Sequence, residues 1–306
     1  MKSSIKIRKP YQGLGSGDIV FDSANYAILG LILLAVLFPL WFVIVASFSD
    51  PDAINRGEVI FWVVEFDMVG YEKAFGDPMI WRGYINTIIY AFFGVWIALL
   101  LSLPFAYALS RHEFPFRTLF TILMLITWYF HGGLIPTFLI VRKLGLYNTR
   151  FIIILLGSFS TWNVIIARTF FRNTIPEELW EASLLDGCDH FQYFFRVVIP
   201  LSKAVVVVLM LFSAVAQWND FFKGLIFLKD SEKYPLQLIL RSILIQATSE
   251  SGMQSLDELE AMAEKERLAG VIRYCVVILG ALPLLIVYPF FQRYFIQGVM
   301  VGGVKG

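Results

Sequence analysis

The feature that most constrains this chain is a set of six long stretches that carry no charged residue. An α-helix rises 1.5 Å per residue, so a helix that crosses the hydrocarbon core of a bilayer needs roughly 20 apolar residues. Four of the stretches reach or approach this length, whereas the fourth and fifth in chain order reach it only with flanking residues. The predicted spans are 23–49, 83–110, 118–141, 151–167, 204–219 and 274–292.

The composition agrees with a membrane protein. Apolar residues make up 58% of the 306 residues and charged residues 16%, whereas soluble domains run near 45–50% and 25%. The net charge of +1 gives no electrostatic case for nucleic acid binding. Two isolated cysteines, Cys188 and Cys275, and three histidines form no metal-ligand motif, so we expect no metal site.

These patterns predict an all-α polytopic membrane protein with six transmembrane helices. The first apolar run begins after about 22 polar-leaning residues and is too long for a signal peptide, so we expect it to remain as the first span. Residues 1–23 then form a tail, and 24–306 form the membrane domain. Basic residues before the first span favour a cytoplasmic N-terminus, and an even number of spans makes the C-terminus cytoplasmic too. These basic residues are Lys2, Lys6, Arg8 and Lys9.

Two polar connections are long enough to carry function, 168–203 and 220–273. In the second, Ser255 and Glu258 form a capping-box pattern that predicts a helix through Leu268. One face of this helix is apolar, which fits equally well a helix that lies over the spans and one that contacts a partner. The apolar face consists of Leu256, Leu259, Met262 and Ala263.

The first connection contains the most informative segment, residues 174–200. Thr174 and Glu177 form a capping-box pattern with Pro176 in the first helical turn. We expect a short helix through Asp186, which Gly187 ends because glycine accepts the left-handed conformation. A second helix is predicted to start near Asp189 and to run into span five.

The short helix has the surface of a docking element. Ser183 and Gly187 lie four residues apart and share a face with the small residue Ala182, so another surface can approach closely. The alternative is an amphipathic loop that lies on the bilayer. Acceptor groups at its N-terminal half come from Glu177, Glu178 and Glu181.

The spacing in this segment resembles the "EAA–G" signature of ABC-importer membrane subunits. The matching residues are Glu181-Ala182-Ser183, then Gly187 after three residues, then Val197-Val198-Ile199-Pro200 after nine more. The third Ala of the signature is Ser183 here. The end of the chain, 298–306, resembles the tail of the second membrane subunit of maltose-type sugar importers. Residues 132–136, 144–149, 217–220 and 288–294 are similar to the polysaccharide and oligosaccharide branch, which handles fragments such as those of alginate or pectin.

The resemblance implies a type I importer permease of the MetI-like fold, with a core at about 80–295, a cytoplasmic coupling loop at 172–200, an outer loop at 220–272 and a cytoplasmic tail at 295–306. It also implies a heterodimer with a second, different permease subunit, a dimer of ATPase subunits and an extracytoplasmic sugar-binding protein, in the cytoplasmic membrane of a prokaryote. The chain has no GxxxxGK[ST] phosphate loop, so ATP and Mg²⁺ belong in the ATPase partner and no cofactor is expected here. The residues that match the ATPase-coupling motif are Glu181, Ala182, Ser183, Asp186, Gly187 and Pro200, and those of the ATPase-contacting tail are Gly302, Gly303 and Lys305.

Polar and aromatic residues in spans four and five are candidates for the substrate path. Polar groups within spans usually face protein or a water-filled cavity, and Trp beside Asn could stack on a sugar ring and bond its hydroxyls. The alternative is interfacial anchoring by Trp with helix–helix hydrogen bonds by Asn, which we favour for Trp218. We expect Asn86 and His131 to be helix-packing or satisfied polar residues. The path candidates are Trp162, Asn163, Gln217, Trp218, Asn219 and Asp220.

Two other functions compete with the importer. A membrane enzyme acting on lipid-linked sugars would need intramembrane acid–base pairs, and the spans contain no paired Asp. A facilitator that needs no ATP would have no use for the docking segment. The sequence does not indicate which sugar is carried.

Overall fold

The computed structural model describes residues 16–249 and 256–303 of the chain, and within these ranges the regular structure is helical. A π-helical turn occupies Phe194–Val198 and a 3₁₀ turn Ser231–Lys233. The α-helices are α1 Ser16–Ser47, α2 Pro51–Asn55, α3 Val69–Gly76, α4 Pro78–Ser110, α5 Arg117–Tyr129, α6 Leu134–Lys143, α7 Arg150–Leu155, α8 Thr161–Thr174, α9 Glu177–Leu185, α10 His190–Tyr193, α11 Ile199–Leu201, α12 Lys203–Trp218, α13 Phe222–Phe227, α14 Leu236–Ser249 and α15 Leu256–Gly303.

Helix α4 lies at the centre of the bundle. Asp77 caps its N-terminus by accepting a hydrogen bond from the N–H of Met79 (2.8 Å), and Pro78 occupies the first turn, where its missing N–H costs nothing. α8 and α12 both pack on α4 and share its main apolar core. Representative buried members of this core are Leu99, Ala106, Val164, Ala167 and Leu209.

The three central helices approach closely at one glycine. A Cβ atom on Gly94 of α4 would lie 2.5 Å from Nε2 of Gln217 on α12, a distance too short for real atoms. Nearby, Asn163 of α8 donates to the hydroxyl of Ser213 on α12 (3.1 Å). Gln217 and Asn163 are both buried, so polar groups are paired inside the bundle rather than exposed to lipid.

Helix α1 has the surface expected of a span that faces lipid. It is apolar along most of its length and exposed, with burial beginning only near its end, at Val45 and Ala46. There it packs against α15 and the short helices that follow it. A soluble protein would not expose such a helix, so the membrane class predicted from the sequence is confirmed.

Two of the predicted spans are not continuous helices. The third is divided into α5 and α6, which meet at 108° across residues 130–133, where Gly133 has φ +84°. The fourth is divided into α7 and α8 around Gly157, which has φ +85°. Gly132, Gly133 and Pro136 mark the first break, because glycine accepts positive φ and proline starts a new helix readily.

Five of the six predicted spans correspond to apolar helices long enough to cross a bilayer. Among the described residues, α1, α4 and the 267–292 part of α15 meet the length and composition test alone. α5 with α6, and the helix ending at Leu201 with α12, meet it as bent pairs. The predicted span 151–167 does not, because its two helices are short and α8 ends in polar residues.

The predicted outer helix and span six are one element. α15 runs for 48 residues from Leu256 to Gly303, so a separate helix that ends at Leu268 was wrong. The residues between the two predicted parts include Gly270 but no proline, and the helix continues through Pro283 and Pro289. The proposed N-cap Ser255 lies outside the described residues. The predicted tail from 295 onward is helical through Gly303.

We predict that Gly94→Leu lowers the melting temperature of the purified protein in detergent by several degrees. The new side chain would meet Gln217 in a packed interior, and overpacking of this kind costs about 1–3 kcal/mol. Gly30→Leu in α1 is the matched control, because a Cβ there meets no atom within 4 Å. Equal melting temperatures for the two variants would contradict the close approach of α4 and α12.

Candidate coupling segment and translocation path

The segment after α8 forms a helix–turn–helix. The start of α9 differs from the sequence prediction, because Pro176 is the N-cap residue and Thr174 is the last residue of α8. A residue before proline is driven to an extended conformation, and Ile175 has φ −100° and ψ 110°. The chain therefore leaves the α8 helix at Ile175, and Thr174 cannot cap α9.

The end of α9 is as predicted. Gly187 has φ +77° and follows the C-cap residue Asp186. Its N–H donates to the carbonyl of Leu184 (3.0 Å), and the N–H of Cys188 donates to the carbonyl of Ser183 (2.9 Å). These two bonds form a Schellman motif, which needs a residue that accepts positive φ at position 187.

One tryptophan holds α9 onto the bundle. Trp180 is 3% exposed, and its indole N–H donates to Oε1 of Glu113 at 2.8 Å. The ring stacks on His190 with centroids 4.3 Å apart, and the guanidinium of Arg111 lies 5.1 Å from its centroid. Tyr193 packs edge-on against it at 5.0 Å. The anchoring role of Trp180 was not predicted from the sequence, although a lone Trp on a short polar helix is a signal for contact with an apolar core.

The opposite side of the helix–turn–helix is exposed and partly apolar. Leu185 is 91% exposed and Phe191 76% exposed, with Leu184 half-exposed between them. Glu181 and Ala182 are exposed on the same short helix. The predicted coupling residues Glu181, Ala182 and Gly187 are thus exposed on a helix that Trp180 holds onto the bundle, whereas Ser183 is half-buried and its hydroxyl donates to the carbonyl of Leu179. We call the surface formed by Glu181, Ala182, Leu184, Leu185, Gly187 and Phe191 the docking face.

The connection from the docking face to α12 is bent. The sequence predicts one helix from Asp189 into span five. The structure instead has the π-helical turn Phe194–Val198 followed by α11, and the helix axis then bends by 82° at Ser202. Pro200 explains the irregular turn, because it lacks an N–H and its ring crowds the preceding helical turn. The predicted helix from Asp189 toward span five is therefore present, but it is interrupted by the π-helical turn and by the bend at Ser202.

The structure places the path candidates in two groups. Asn163 and Gln217 are buried and engaged with protein groups: Asn163 bonds Ser213, and Gln217 accepts from Nζ of Lys223 (3.1 Å). Trp218 is buried and donates to the carbonyl of Gly280 on α15 (2.9 Å), so it links two helices and is not an interfacial anchor.

Asp220 lies just beyond α12 and is paired. Its Oδ2 lies 2.8 Å from Nζ of Lys223, which also donates to the carbonyl of Leu156 at 2.6 Å. Burial lowers the pKa of the Lys223 ammonium to about 8, which leaves it mainly protonated at neutral pH. This lysine joins the end of α12 to the break between α7 and α8.

Trp162 and Asn219 are the candidates that remain exposed. Trp162 is 53% exposed and packs against Trp128 of α5, with ring centroids 6.2 Å apart. Trp128 stands next to the exposed Tyr129, where α5 ends at the break in span three. Trp128 was not among the candidates from the sequence. Its contact with Trp162 joins residues 34 positions apart, and the sequence does not fix how their two helices are rotated.

The other residues selected from the sequence lie elsewhere in the structure. Asn86 is buried and donates to the carbonyls of Glu232 and Tyr234, as expected for a packing role. His131 lies exposed in the break between α5 and α6, so a packing role for it was wrong. Gly302 and Gly303 are in the last turn of α15, and Lys305 lies outside the described residues.

The family model for "Binding-protein-dependent transport system inner membrane component" matches residues 79–301. This range starts at α4 and includes both the docking face and α15. The chain belongs to this family. The resemblance read from the EAA–G spacing is therefore confirmed, and the permease is a multi-pass component of a membrane transport system.

Several similar proteins have names that specify a sugar transport system. The "Polygalacturonan/rhamnogalacturonan transport system permease protein YtcP" of Bacillus subtilis is 34% identical over 287 residues, which cover 94% of this permease and 99% of the relative. "Protein LplC" of the same organism is 34% identical over 289 residues, covering 94% and 95%. The "Arabinooligosaccharides transport system permease protein AraQ" of Halalkalibacterium halodurans is 29% identical and covers 88% of this permease and 91% of the relative.

A solved structure shares the fold. It is a chain of a bacterial ABC transporter involved in the import of the acidic polysaccharide alginate, with a TM-score of 0.81 and 30% sequence identity. The match covers 92% of this permease and 99% of that chain. The MetI-like permease fold is confirmed, and nothing in the comparisons supports a membrane enzyme acting on lipid-linked sugars.

We predict that Trp180→Ala frees α9 from the bundle without unfolding the membrane helices. Loss of a buried Trp costs about 3–5 kcal/mol, and here the loss falls on one short helix. Amide hydrogen exchange should rise across 177–188 and stay unchanged in α4 and α12. Leu185→Ala is the control, because a 91% exposed side chain contributes little to packing. Similar exchange in both variants would show that Trp180 is not the anchor.

Proposed function

We propose that this permease is one of two different membrane subunits of an ATP-driven importer that carries an oligosaccharide into the cell. A dimer of ATPase subunits would bind its docking face, and an extracytoplasmic binding protein would deliver the sugar. The observation that carries the proposal is the docking face, which is exposed and partly apolar, yet held rigidly against α4 through Trp180.

A coupling element has to be packed firmly against the helices that it moves. A force on the docking face passes through the stack of Trp180 and His190 to Tyr107 of α4, whose hydroxyl lies 3.3 Å from Nδ1 of His190. A second route runs along the π-helical turn and the bend at Ser202 into α12. α4 and α12 pack directly on each other, so both routes reach the same pair of central helices. Alternating access would follow from movement of these helices when the ATPases close.

The position of the docking face also supports an orientation. ATPases work in the cytoplasm, so the docking face, the N-terminal tail and the C-terminal end of α15 would lie on the cytoplasmic side. The segment 48–67 and the start of α15 would then lie outside. α15 begins 11 residues before the apolar stretch at Arg267, which extends the helix by about 16 Å toward a binding protein.

Exposed aromatic residues at the break in span three support an oligosaccharide as the transported substrate. Trp128 and Trp162 offer two ring faces close together, and sugar C–H faces pack well on such rings. Relatives whose names specify a substrate include permeases for polygalacturonan and rhamnogalacturonan, for arabinooligosaccharides, for diacetylchitobiose, and for melibiose, raffinose and stachyose. We infer the same substrate class here.

We predict that Gly187→Val abolishes uptake and weakens copurification of the ATPase, at near-normal abundance in the membrane. Position 187 has φ +77°, and a β-branched residue there costs about 1–3 kcal/mol of strain, which opens the Schellman motif. The assay measures membrane abundance, ATPase copurification and sugar uptake on the same preparations.

Gly187→Asn is the matched control for this prediction. Asparagine tolerates positive φ, and a Cβ at position 187 meets no atom of this chain within 4 Å. It should therefore keep the helix end and retain more ATPase than the valine variant. Full ATPase association and uptake in Gly187→Val would show that this segment does not couple the two subunits. Glu181→Lys should keep α9 intact and still weaken ATPase association, because it reverses an exposed charge on the docking face.

The proposed orientation predicts opposite labelling of two exposed positions. In a variant with Cys188 and Cys275 replaced by serine, a cysteine at Phe66 should react with an impermeant thiol reagent added to cells whose wall or outer membrane is permeabilised. A cysteine at Leu185, in permease expressed without its ATPase partner so that the docking face is uncovered, should react only after the cytoplasmic membrane is opened. Both side chains are highly exposed, at 68% and 91%, so the difference reports the side of the membrane. The reverse labelling pattern would reverse the orientation.

A further inference from the structure

A cavity of about 650 Å³ opens between the end of α12, α14 and α15, apart from the docking face and from the Trp128–Trp162 pair. Its volume falls in the range typical of small-molecule sites. Gly280 forms part of its wall, where a Cβ would lie 3.1 Å from Leu240, so α14 and α15 are in close contact behind the cavity. Exposed Asn219 and Tyr288 stand among the lining residues.

The lining has one cation. The guanidinium carbon of Arg241 lies 4.3 Å from the ring centroid of Phe221, which fixes the orientation of the guanidinium by a cation–π contact. None of the ion pairs formed by the described residues includes Arg241. The other polar side chains of the lining are the neutral groups of Asn219, Gln237 and Tyr288. An arginine that is held over an aromatic ring in a largely apolar cavity, with no carboxylate paired to it among the described residues, is suited to bind an anion that enters the cavity.

The chemistry of this cation defines the ligand. An arginine guanidinium presents paired N–H donors that match the two oxygens of a carboxylate. The neutral amides of Asn219 and Gln237 and the hydroxyl of Tyr288 can bond sugar hydroxyls, and the aliphatic wall can pack against the C–H groups of a ring.

We propose that this cavity binds one uronic acid residue of a transported acidic oligosaccharide, with the carboxylate held by Arg241. This inference rests on the proposed function of oligosaccharide import and adds the charge of the sugar and the residue that selects it. An anionic lipid headgroup is the other source of an oxyanion that could reach this cavity.

The test compares Arg241→Gln with the wild-type permease in the complete importer, reconstituted with its partner subunits in proteoliposomes. The probes are trigalacturonate, trimannuronate and the carboxyl-reduced form of each. We expect at least one acidic trisaccharide to be taken up, and its uptake to fall about tenfold in Arg241→Gln, the loss expected for one charged hydrogen-bonded contact. Arg241→Lys should recover part of it, since it keeps the charge but loses the fork. Uptake of any carboxyl-reduced sugar that the wild-type importer carries should not change.

Arg273→Gln is the matched control, because Arg273 is an exposed arginine of α15 outside the cavity. It should transport the acidic sugars like the wild type. Equal acidic-sugar uptake by Arg241→Gln and the wild type, or uptake of neutral sugars only, would overturn the inference and leave oligosaccharide import standing. Loss of copurifying phosphatidylglycerol in Arg241→Gln without loss of acidic-sugar uptake would assign the cavity to lipid and also overturn it. No uptake of any oligosaccharide by the wild type would overturn the proposed function itself, and this inference with it.

Discussion

Polar side chains within apolar helices have to find partners inside the bundle, because the hydrocarbon core of a bilayer offers none. In this permease two such pairings and one close packing contact fix how the central helices meet. Asn163 bonds Ser213 between α8 and α12, and Trp218 bonds the carbonyl of Gly280 between α12 and α15. Gln217 fills the space that Gly94 leaves on α4. Together they set the rotation and depth of α12, the helix that joins the docking face to the contact with α15.

The same constraint explains how the broken helices are stabilised. A break frees backbone carbonyls, and within a membrane protein these need protein donors. At the break between α7 and α8 the ammonium of Lys223 donates to the carbonyl of Leu156. Because Lys223 also pairs with Asp220, the break is linked to the end of α12, and a shift of α12 would reach α7 and α8 through this lysine.

The docking face precedes the start of α12, and the cavity at Arg241 adjoins its end. The docking face is held by aromatic stacking around Trp180, which is stiff and buried. The cavity lies between α12, α14 and α15, next to the contact of Trp218 with Gly280. Movement of α12 relative to α15 would therefore change the shape of the cavity. A displacement of the docking face that moves α12 would therefore be felt at the cavity.

The sequence by itself determined the membrane class, the position of the apolar helices, the end of α9 at Gly187 and the family. These features follow from local rules: hydropathy adds up along a helix, and a Schellman motif is specified within six residues. The structure decided where helices break and which residues meet. The sequence indicated neither that Trp180 anchors α9, nor that Trp128 pairs with Trp162, nor that Arg241 lies over Phe221 in a cavity. The physical reason is that lipid does not distinguish one apolar helix face from another. Helix rotation and depth are therefore set only by side-chain packing and hydrogen bonds between residues far apart in the chain.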